Sequence, residues 1–196
     1  MILVVAVLAG LLAGLCRAWI GKRKYRAYEL KMPILVLLAF IPQYFIFFAP
    51  KTRVLIPDTI VRVLFVLSLL LLLAFSIFNI RKTGFWLIGF GFLCNFVVIL
   101  LNGGFMPISF ETASKISAQS GATLVIGQRF GYTKDLILAP ETIKLAFLSD
   151  RFVINNLLGS NIAFSLGDLL ISAGVLWLLW TLGGNPNSPV KEHVNE

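Results

Sequence analysis

Apolar residues fall into five runs along the chain, and polar residues separate these runs. A helix that crosses a membrane needs about 20 mostly apolar residues, which is the length of these runs. The pattern therefore predicts an all-α fold, a polytopic membrane helix bundle of about five transmembrane helices. The predicted spans are Ile2 to about Trp19, Pro33 to Ala49, Thr59 to about Asn79, Gly84 to Leu101, and about Phe164 to Leu182.

The polar segments define the rest of the organisation. A single transmembrane bundle is predicted over residues 1–182, followed by a polar tail over residues 183–196. Residues 102–163 form a long loop between the fourth and fifth runs. Within this loop, the pattern near residues 140–149 predicts a short amphipathic helix whose apolar positions rest on the outer membrane surface.

Composition supports a lipid environment. Hydrophobic residues make up 58% of the chain and charged residues 13%, and the mean hydropathy is +0.90. Average soluble domains contain about 25% charged residues. A water-soluble domain of this size would have to expose large apolar patches. The first run opens Met1-Ile2-Leu3, without the positive charge of a signal peptide, so it is predicted to be a retained span.

Basic residues in the short connections predict the orientation. Six of them lie between Arg17 and Lys31, and Arg81 and Lys82 lie in the third connection. Because basic connections stay in the cytoplasm, the amino terminus and the long loop are predicted to be outside and the tail inside. The predicted location is the cell membrane, as a multi-pass protein. The less basic second connection contains Lys51, Arg53 and Arg62.

The formal net charge of +8 has the same explanation. The chain contains no motif of a nucleic-acid-binding fold, so no nucleic acid partner is expected. The predicted partner is the lipid bilayer, with other membrane proteins or an extracytoplasmic peptide as further candidates. The cluster Lys22–Arg26 sets the topology or, alternatively, holds an anionic lipid.

Cysteine and histidine usage excludes several classes of enzyme. Cys16 and Cys94 both lie within apolar runs, and the single histidine, His193, lies in the polar tail. This spacing matches neither a zinc site nor a haem site, and it excludes a histidine-based catalytic triad. No cofactor and no metal site are expected.

Two asparagines and two glycines mark the end of the fourth span. Asn95 and Asn102 are seven residues apart, or about two helical turns, and therefore face the same side of the helix. They predict either hydrogen bonds between helices or contacts with a substrate or partner. Gly103 and Gly104 follow directly, and they predict either a sharp exit from the membrane or a backbone pocket at the outer surface.

Two aspartates are the candidate acid-base residues. Asp168 lies one turn inside the fifth span, and Ser165 precedes it at helical spacing. It is either a functional carboxylate or a helix-start residue that the helix dipole favours. Asp150 lies in the loop shortly before this span, and Arg151 is predicted to pair with one of the two carboxylates.

These motifs together resemble a known bacterial membrane family. The motifs are Cys94-Asn95, Asn102-Gly103-Gly104-Phe105-Met106-Pro107, Phe147-Leu148-Ser149-Asp150 and Phe164-Ser165-Leu166-Gly167-Asp168-Leu169-Leu170-Ile171. Their order is similar to that in the uncharacterised family called domain of unknown function 5317, and the resemblance covers nearly the whole chain. It implies a membrane fold and no established activity.

A second resemblance is local. Asp150-Arg151, followed by Phe164-Ser165-Leu166-Gly167-Asp168, resembles the two aspartate motifs of lipoprotein signal peptidases, which are membrane aspartyl proteases. It implies that Asp150 and Asp168 share a proton and cleave a peptide, with Asn102 and Ser165 orienting the substrate. Asparagines of the peptidase motifs are replaced here by Phe147 and Ser165.

Three functions therefore follow from the sequence. The first is a non-enzymatic binding or complex component with a polar Asn/Asp cluster at the extracytoplasmic face. The second is a membrane-embedded aspartyl peptidase, and the third is a transporter of small solutes. Spans one to three contain no central ionisable residue, which disfavours transport. The distance between the two aspartates and the hydrogen bonds around them discriminate between the first two functions.

Overall fold

The computed structural model describes residues 2–117, 124–157 and 160–184. Most of the predicted polar tail, including His193, lies outside the described residues. The described chain is mostly helical, and a helix lies within each of the five apolar runs. The helices are α1 (Ile2–Ile20), α2 (Ile34–Gln43), α3 (Thr52–Leu55), α4 (Asp58–Phe78), α5 (Phe85–Leu101), α6 (Phe110–Ser117) and α7 (Leu166–Leu182).

Two helices are long and apolar enough to cross a membrane, by length and composition. They are α1 and α4, among the residues that the structure describes. The other apolar helical segments are shorter: Ile34–Phe48, Phe85–Leu101 and Leu166–Leu182.

Prolines shape the second helical segment. Pro33 precedes α2, and Pro42 lies inside it. Because proline has no N–H, it removes one hydrogen bond of the helical ladder and disturbs the turn around it. The chain continues after α2 as a π-helical turn, Tyr44–Phe48, and becomes extended at Ala49.

Glycines bring α5 and α7 close together in an antiparallel pair. A Cβ at Gly91 would lie 2.6 Å from the carbonyl oxygen of Gly167. About two helical turns further along, a Cβ at Gly174 would lie 2.8 Å from the carbonyl oxygen of Gly84. Any larger residue at these positions would push the helices apart, as in the close helix contacts of membrane proteins.

The five long helical segments form an open arc. α1 packs along α7, α7 along α5, α5 along α4, and α4 along α2. Contact between α1 and α2, the two ends of the arc, is slight at most. α1 and α7 run parallel, since Gly10 faces Leu176 and Gly14 faces Leu179.

One end of the arc is covered by the strap, residues 21–31, and we call this end the strap end. The strap crosses the carboxyl ends of α7 and α4: Arg26 N donates to Leu182 O at 3.3 Å, and Tyr25 Oη donates to Leu179 O at 3.2 Å. Asn79, at the end of α4, holds Lys31 by two hydrogen bonds to its backbone. The strap therefore satisfies helix carbonyls that have no partner within their own helix.

The opposite end carries the long loop, and we call it the loop end. Here the predicted all-α fold is incomplete, because the loop contains two small sheets. Strands β1 (Met106–Ser109) and β2 (Asp135–Leu138) pair in parallel, and β3 (Phe152–Leu157) and β4 (Ser160–Phe164) pair antiparallel. These strands satisfy backbone groups of a loop that crosses the bundle.

The predicted amphipathic helix near 140–149 takes another form. Residues 140–142 and 146–148 form two single 3₁₀ turns. Leu145, between them, has a φ of 54°, in the left-handed region, which interrupts any continuous helix. The main core lies at this end, below the loop, and includes Ile46, Phe65, Val98, Phe105 and Met106.

Candidate functional site

The start of α7 presents Asp168 in a fixed position. Ser165 is the N-cap residue: its hydroxyl accepts from Asp168 N at 3.0 Å, and its own backbone N donates to Asp168 Oδ2 at 3.3 Å. This reciprocal capping box satisfies two backbone N–H groups at a helix start. The spacing of Ser165 and Asp168 in the sequence is what allows it, and Ser165 is fully buried.

Asn95 of α5 completes this arrangement from the neighbouring helix. Its Nδ2 donates to Asp168 Oδ1 at 2.8 Å, and its Oδ1 accepts from Ser165 Oγ at 2.9 Å. Gly167 leaves the room for the amide, because a Cβ at Gly167 would overlap with Asn95 Oδ1. Three of the predicted site residues, Asn95, Ser165 and Asp168, therefore form one network.

Asp150 lies in a second, adjoining cluster. Its carboxylate is 1% exposed, and its Oδ2 accepts from Lys134 Nζ at 2.5 Å. Lys134 also lies 3.2 Å from Asp135 Oδ1. The sequence-based prediction that Arg151 pairs with a carboxylate is wrong for Asp150: Arg151 is exposed and stacks on Phe152, with 5.9 Å from its guanidinium to the ring centre.

Strand pairing brings these charges together. β1 lies between β2 and Asp150, since Met106 N donates to Lys134 O at 2.9 Å and Asp150 N donates to Pro107 O at 3.2 Å. Residues far apart in the sequence thus meet at one position of the loop.

The charged cluster has more carboxylates than cations. Burial by itself lowers the pKa of Lys134, but the carboxylates of Asp135, Asp150 and Asp168 outweigh it and raise this pKa above its ordinary value. Burial raises the pKa of Asp150, and Asp135 and Asp168 raise it further against the opposing effect of Lys134. Both directions favour proton retention, so Lys134 is an ammonium at neutral pH.

Two cavities adjoin this cluster. One, of about 300 Å³, is enclosed mainly by Phe40, Phe65, Leu72 and other apolar side chains, with contributions from α1, α2, α4, α5 and α7. The second, of about 420 Å³, lies under β4. Lys134, Asp168 and Gln43 line both cavities. We call the two cavities together the chamber. Most of the side chains that line it are apolar, and Lys134, Asp168 and Gln43 lie where its two parts adjoin.

Asn102 lies apart from the chamber and fixes the loop. Its Nδ2 donates to Val98 O at 2.8 Å and Lys144 O at 2.9 Å, and its Oδ1 accepts from Lys144 N at 3.0 Å. Gly103 and Gly104 follow with φ of 82° and 88°, conformations that favour glycine. Gly104 packs against Arg62. These residues form a sharp exit from α5.

Arg151 belongs to a different surface. It lines a polar depression of about 290 Å³ together with Ser109, Glu111, Thr112 and Lys115. Glu111 and Lys115 form an exposed ion pair at 2.6 Å on α6. Of the eight predicted site residues, the structure thus brings Asn95, Ser165 and Asp168 into one network, and it leaves Arg151 outside.

The geometry disfavours an aspartyl protease mechanism. Such a mechanism requires two carboxylates that share one proton and face a common water. Here Asp150 faces an ammonium, and both oxygens of Asp168 accept hydrogen bonds, from Asn95 and from the backbone of Ser165. Both oxygens of Asp168 are thus engaged, and the hydrogen-bonded oxygen of Asp150 faces an ammonium, which suits a fixed polar surface better than acid-base chemistry.

Three residues of the site were missed by sequence reasoning. Lys134 and Asp135 lie in the loop without any neighbouring motif, and only the β1–β2 pairing places them beside Asp150. Gln43 directly follows Pro42 in an apolar helix. A single amide in such a helix needs a polar partner, and this could have marked Gln43 as a site residue. Within the described ranges, His, Cys, Asp and Glu residues form no group of three that could hold a metal ion.

Comparison with known proteins gives one match. The model of a family described as a family of unknown function (DUF5317) matches residues 27–180. This confirms the resemblance that the Asn-Gly-Gly and Ser-x-Gly-Asp motifs indicate. No curated protein and no solved structure matches the chain. The local resemblance to lipoprotein signal peptidases thus has no support from these comparisons.

Proposed function

Because the chain belongs to DUF5317, a family of unknown function, we propose its function from the geometry: a multi-pass membrane protein that binds an amphipathic lipid without transforming it. The observation that carries this proposal is the largely apolar chamber, which Lys134 and Asp168 also line. The polar Asn/Asp cluster lies at the extracytoplasmic face in this proposal.

Exposed side chains on the helices support the membrane part of the proposal. Large apolar residues remain exposed along the outer faces of α1, α2 and α4, for example Leu12, Leu37 and Val63. Water would solvate such a belt poorly, whereas lipid matches it. In this proposal the three shorter segments complete five spans. Phe85–Leu101 and Leu166–Leu182 each have 17 residues, which cover about 25 Å, near the lower limit for crossing, and Ile34–Phe48 is shorter by two residues.

The charges at the two ends support the proposed orientation. The strap contains Lys22, Arg23, Lys24, Arg26 and Lys31, which is typical of a cytoplasmic connection. The loop end, with its folded strands, is then extracytoplasmic. The test is reaction with a thiol reagent that does not cross membranes, applied to intact cells that express single-cysteine variants.

In that test Glu141→Cys at the loop end should react and Lys24→Cys in the strap should not. Both are built in a chain in which Cys16 and Cys94 are replaced by serine. Reaction of Lys24→Cys alone would reverse the orientation, and equal reaction of both would contradict the membrane topology.

The shape of the chamber indicates the class of ligand. Phenylalanines and leucines from the helices match a hydrocarbon chain, while Lys134, Asp168 and Gln43 offer donors and acceptors to a polar head group. α1 and α2 both line the chamber and make little contact with each other, so we expect a lipid to enter between them from the lipid layer. A soluble polar metabolite would leave the apolar walls unused.

Photolabelling tests the proposed ligand. The purified full chain in detergent is irradiated with a diazirine-bearing long-chain alcohol, and labelled peptides are identified by mass spectrometry. We expect labels on residues of the chamber. Leu72→Trp should fill the chamber and weaken labelling at least about tenfold, which corresponds to about 1.4 kcal/mol.

Leu70→Trp is the matched control, because Leu70 lies on the same helix and is exposed. It should leave the labelling of the chamber unchanged. Equal labelling of both variants would show that the alcohol does not occupy the chamber, and the proposal would then be wrong.

A further inference from the structure

A second pocket lies at the loop end, outside the polar network and the chamber. Its volume is about 410 Å³, and it lies between residues 53–58, at the start of α4, and residues 127–132 of the loop. Arg53, Asp58, Gln128, Arg129 and Tyr132 supply its polar lining. Two guanidinium groups therefore face one carboxylate.

Arg129 lines one side of this pocket, and hydrogen bonds hold its side chain in one position. Its Nη1 donates to Asp58 Oδ1 at 2.8 Å, and its Nε and Nη2 donate to Thr133 O at 3.2 and 2.9 Å. Its guanidinium stacks on Phe105, 4.9 Å from the ring centre. Each of its nitrogens has a partner, and Asp58 is neutralised by it.

Arg53, by contrast, lacks a hydrogen-bond partner in the described chain for one of its guanidinium nitrogens. Its guanidinium lies over the ring of Tyr132 at 5.1 Å, which holds it in place. Its Nε is buried and has no hydrogen-bond partner among the described residues. A buried, unsatisfied donor on a cation costs free energy unless an acceptor binds to it. The pocket thus keeps one positive charge and one unused donor.

Exposed apolar residues lie at this pocket: Val54 lines it, and Leu55 and Ile126 are chain neighbours of residues that line it. Val54, Leu55 and Ile126 are all more than half exposed, and Leu55 reaches 78%. Such a rim suits the boundary between head groups and hydrocarbon. Guanidinium groups match the oxygens of a phosphate better than an ammonium does, because they donate from a planar fork.

We propose that this pocket binds the phosphate group of an anionic phospholipid, with Arg53 as the residue that contacts the phosphate oxygens. The bound oxygens accept from Arg53 and balance its charge, while the acyl chains lie against the apolar rim. The site differs from the chamber in residues, in charge and in ligand chemistry.

Binding to the purified full chain in detergent tests this site by calorimetry. The probes are a short-chain phosphatidylglycerol, the diacylglycerol with the same chains and no phosphate, and inorganic phosphate. We expect phosphatidylglycerol to bind at least about tenfold more tightly than diacylglycerol, or about 1.4 kcal/mol. Weaker binding of inorganic phosphate identifies a lipid; equally tight binding identifies a soluble phosphate compound as the source.

Variants separate the site from general charge effects. Arg53→Gln should abolish the preference for phosphate, and Arg53→Lys should weaken it while keeping the charge and the fold. Arg81→Gln, at the opposite end of the bundle and outside the Lys22–Arg26 cluster, is the matched control and should bind like the unaltered chain. Leu72→Trp should also keep the preference, even where it blocks the chamber. Unchanged phosphate preference in both Arg53 variants would overturn the proposal.

Discussion

The strap end and the loop end of the bundle share one structural device. At the strap end, Asn79 follows α4 and donates to Phe75 O and Lys31 O while it accepts from Lys31 N. At the loop end, Asn102 follows α5 and makes the same three bonds with Val98 and Lys144. Each asparagine thus holds the backbone of a distant lysine against a helix end.

The two ends differ in the exposure and hydrogen bonding of their charged side chains. Two arginines at the strap end stay in contact with solvent and donate to carbonyls at or just past the end of α7: Arg17 Nη1 to Trp180 O at 3.3 Å and Arg23 Nη1 to Gly184 O at 2.9 Å. At the loop end, Asp150 is buried, and one of its oxygens has no hydrogen-bond partner in the described part of the chain. Lys134 is the cation that balances the charges of three nearby carboxylates, those of Asp135, Asp150 and Asp168. No buried side-chain polar atom of the strap lacks a hydrogen-bond partner among the described residues, which indicates an architectural role, whereas the unsatisfied buried oxygen of Asp150 at the loop end indicates a place for a ligand.

The largest effect should come from removing the cation at the loop end. Lys134→Met leaves Asp150 buried without its partner, a change that costs about 3–5 kcal/mol when the pair is fully buried. Because the lysine side chain is 34% exposed, we expect the lower end of this range. Thermal unfolding in detergent measures it, with Lys24→Met in the strap as the control.

The pH dependence of this variant sharpens the test. The pKa of Asp150 is raised in the folded chain, so the folded state favours the protonated acid. This preference stabilises the folded chain at acidic pH, and the stabilisation is lost as the pH rises from about 3.9, the pKa of an unfolded aspartate, through the folded-state pKa. Without Lys134 this pKa rises further. The deficit of Lys134→Met should therefore shrink as the pH falls from 7 towards 5, and Asp150→Asn should rescue part of it. A deficit independent of pH would mean that lost packing, and not the unpaired carboxylate, is the cause.

A smaller loss is expected from the helix contact beneath the polar network. Gly91→Ala places a methyl group 2.6 Å from Gly167 O, and such overpacking costs about 1–3 kcal/mol. Gly89→Ala is the control on the same helix, because its nearest neighbour, the Cβ of Ser76, is 3.3 Å away. Equal melting temperatures for the two variants would contradict the close packing of α5 and α7.

The asparagine pair tests the shared device itself. Asn79→Ala and Asn102→Ala each remove three hydrogen bonds to backbone that water can partly replace, so each should cost about 1–2 kcal/mol. Unfolding in detergent measures both. If Asn102→Ala lost lipid binding while keeping full stability, Asn102 would belong to the ligand site, and the comparison of the two ends would fail.

Asp168→Asn should have the smallest effect. The amide oxygen still accepts from Ser165 N at the helix start, and Asn95 keeps a hydrogen bond to the new amide nitrogen by turning its own amide. The lost charge at a helix amino end is worth at most about 1 kcal/mol. A catalytic carboxylate would behave differently: Asp150→Asn and Asp168→Asn would each abolish function in a folded chain. Retention of lipid binding and of any cellular phenotype by the double variant would exclude the aspartyl peptidase.

The sequence predicts local features of this molecule well and distant ones poorly. Helix periodicity and the helix-start position of Asp168 are readable from neighbouring residues, and both are present; the capping box with Ser165 is seen only in the structure. Asn95 was also found, because an amide in an apolar helix needs a partner.

Lys134 could not be found in this way. Its role depends on the parallel pairing of β1 and β2, which joins segments separated by residues 110–134, and parallel pairs leave little local signal. The helix prediction for residues 140–149 was wrong for a related reason. Their apolar pattern fits a helix, but the hydrogen bonds between Asn102 and the backbone of Lys144 hold the chain in another conformation.

The pairing of α1 with α7 has a consequence for synthesis. All of residues 21–165 separate the two helices, and α1 packs extensively on no other helix of the described chain. As the ribosome makes the chain, α1 must therefore wait without a partner until α7 emerges. Contacts so distant in sequence form late and slowly. During that interval the chamber has an open side, so a lipid that is already present can be enclosed as the last wall arrives.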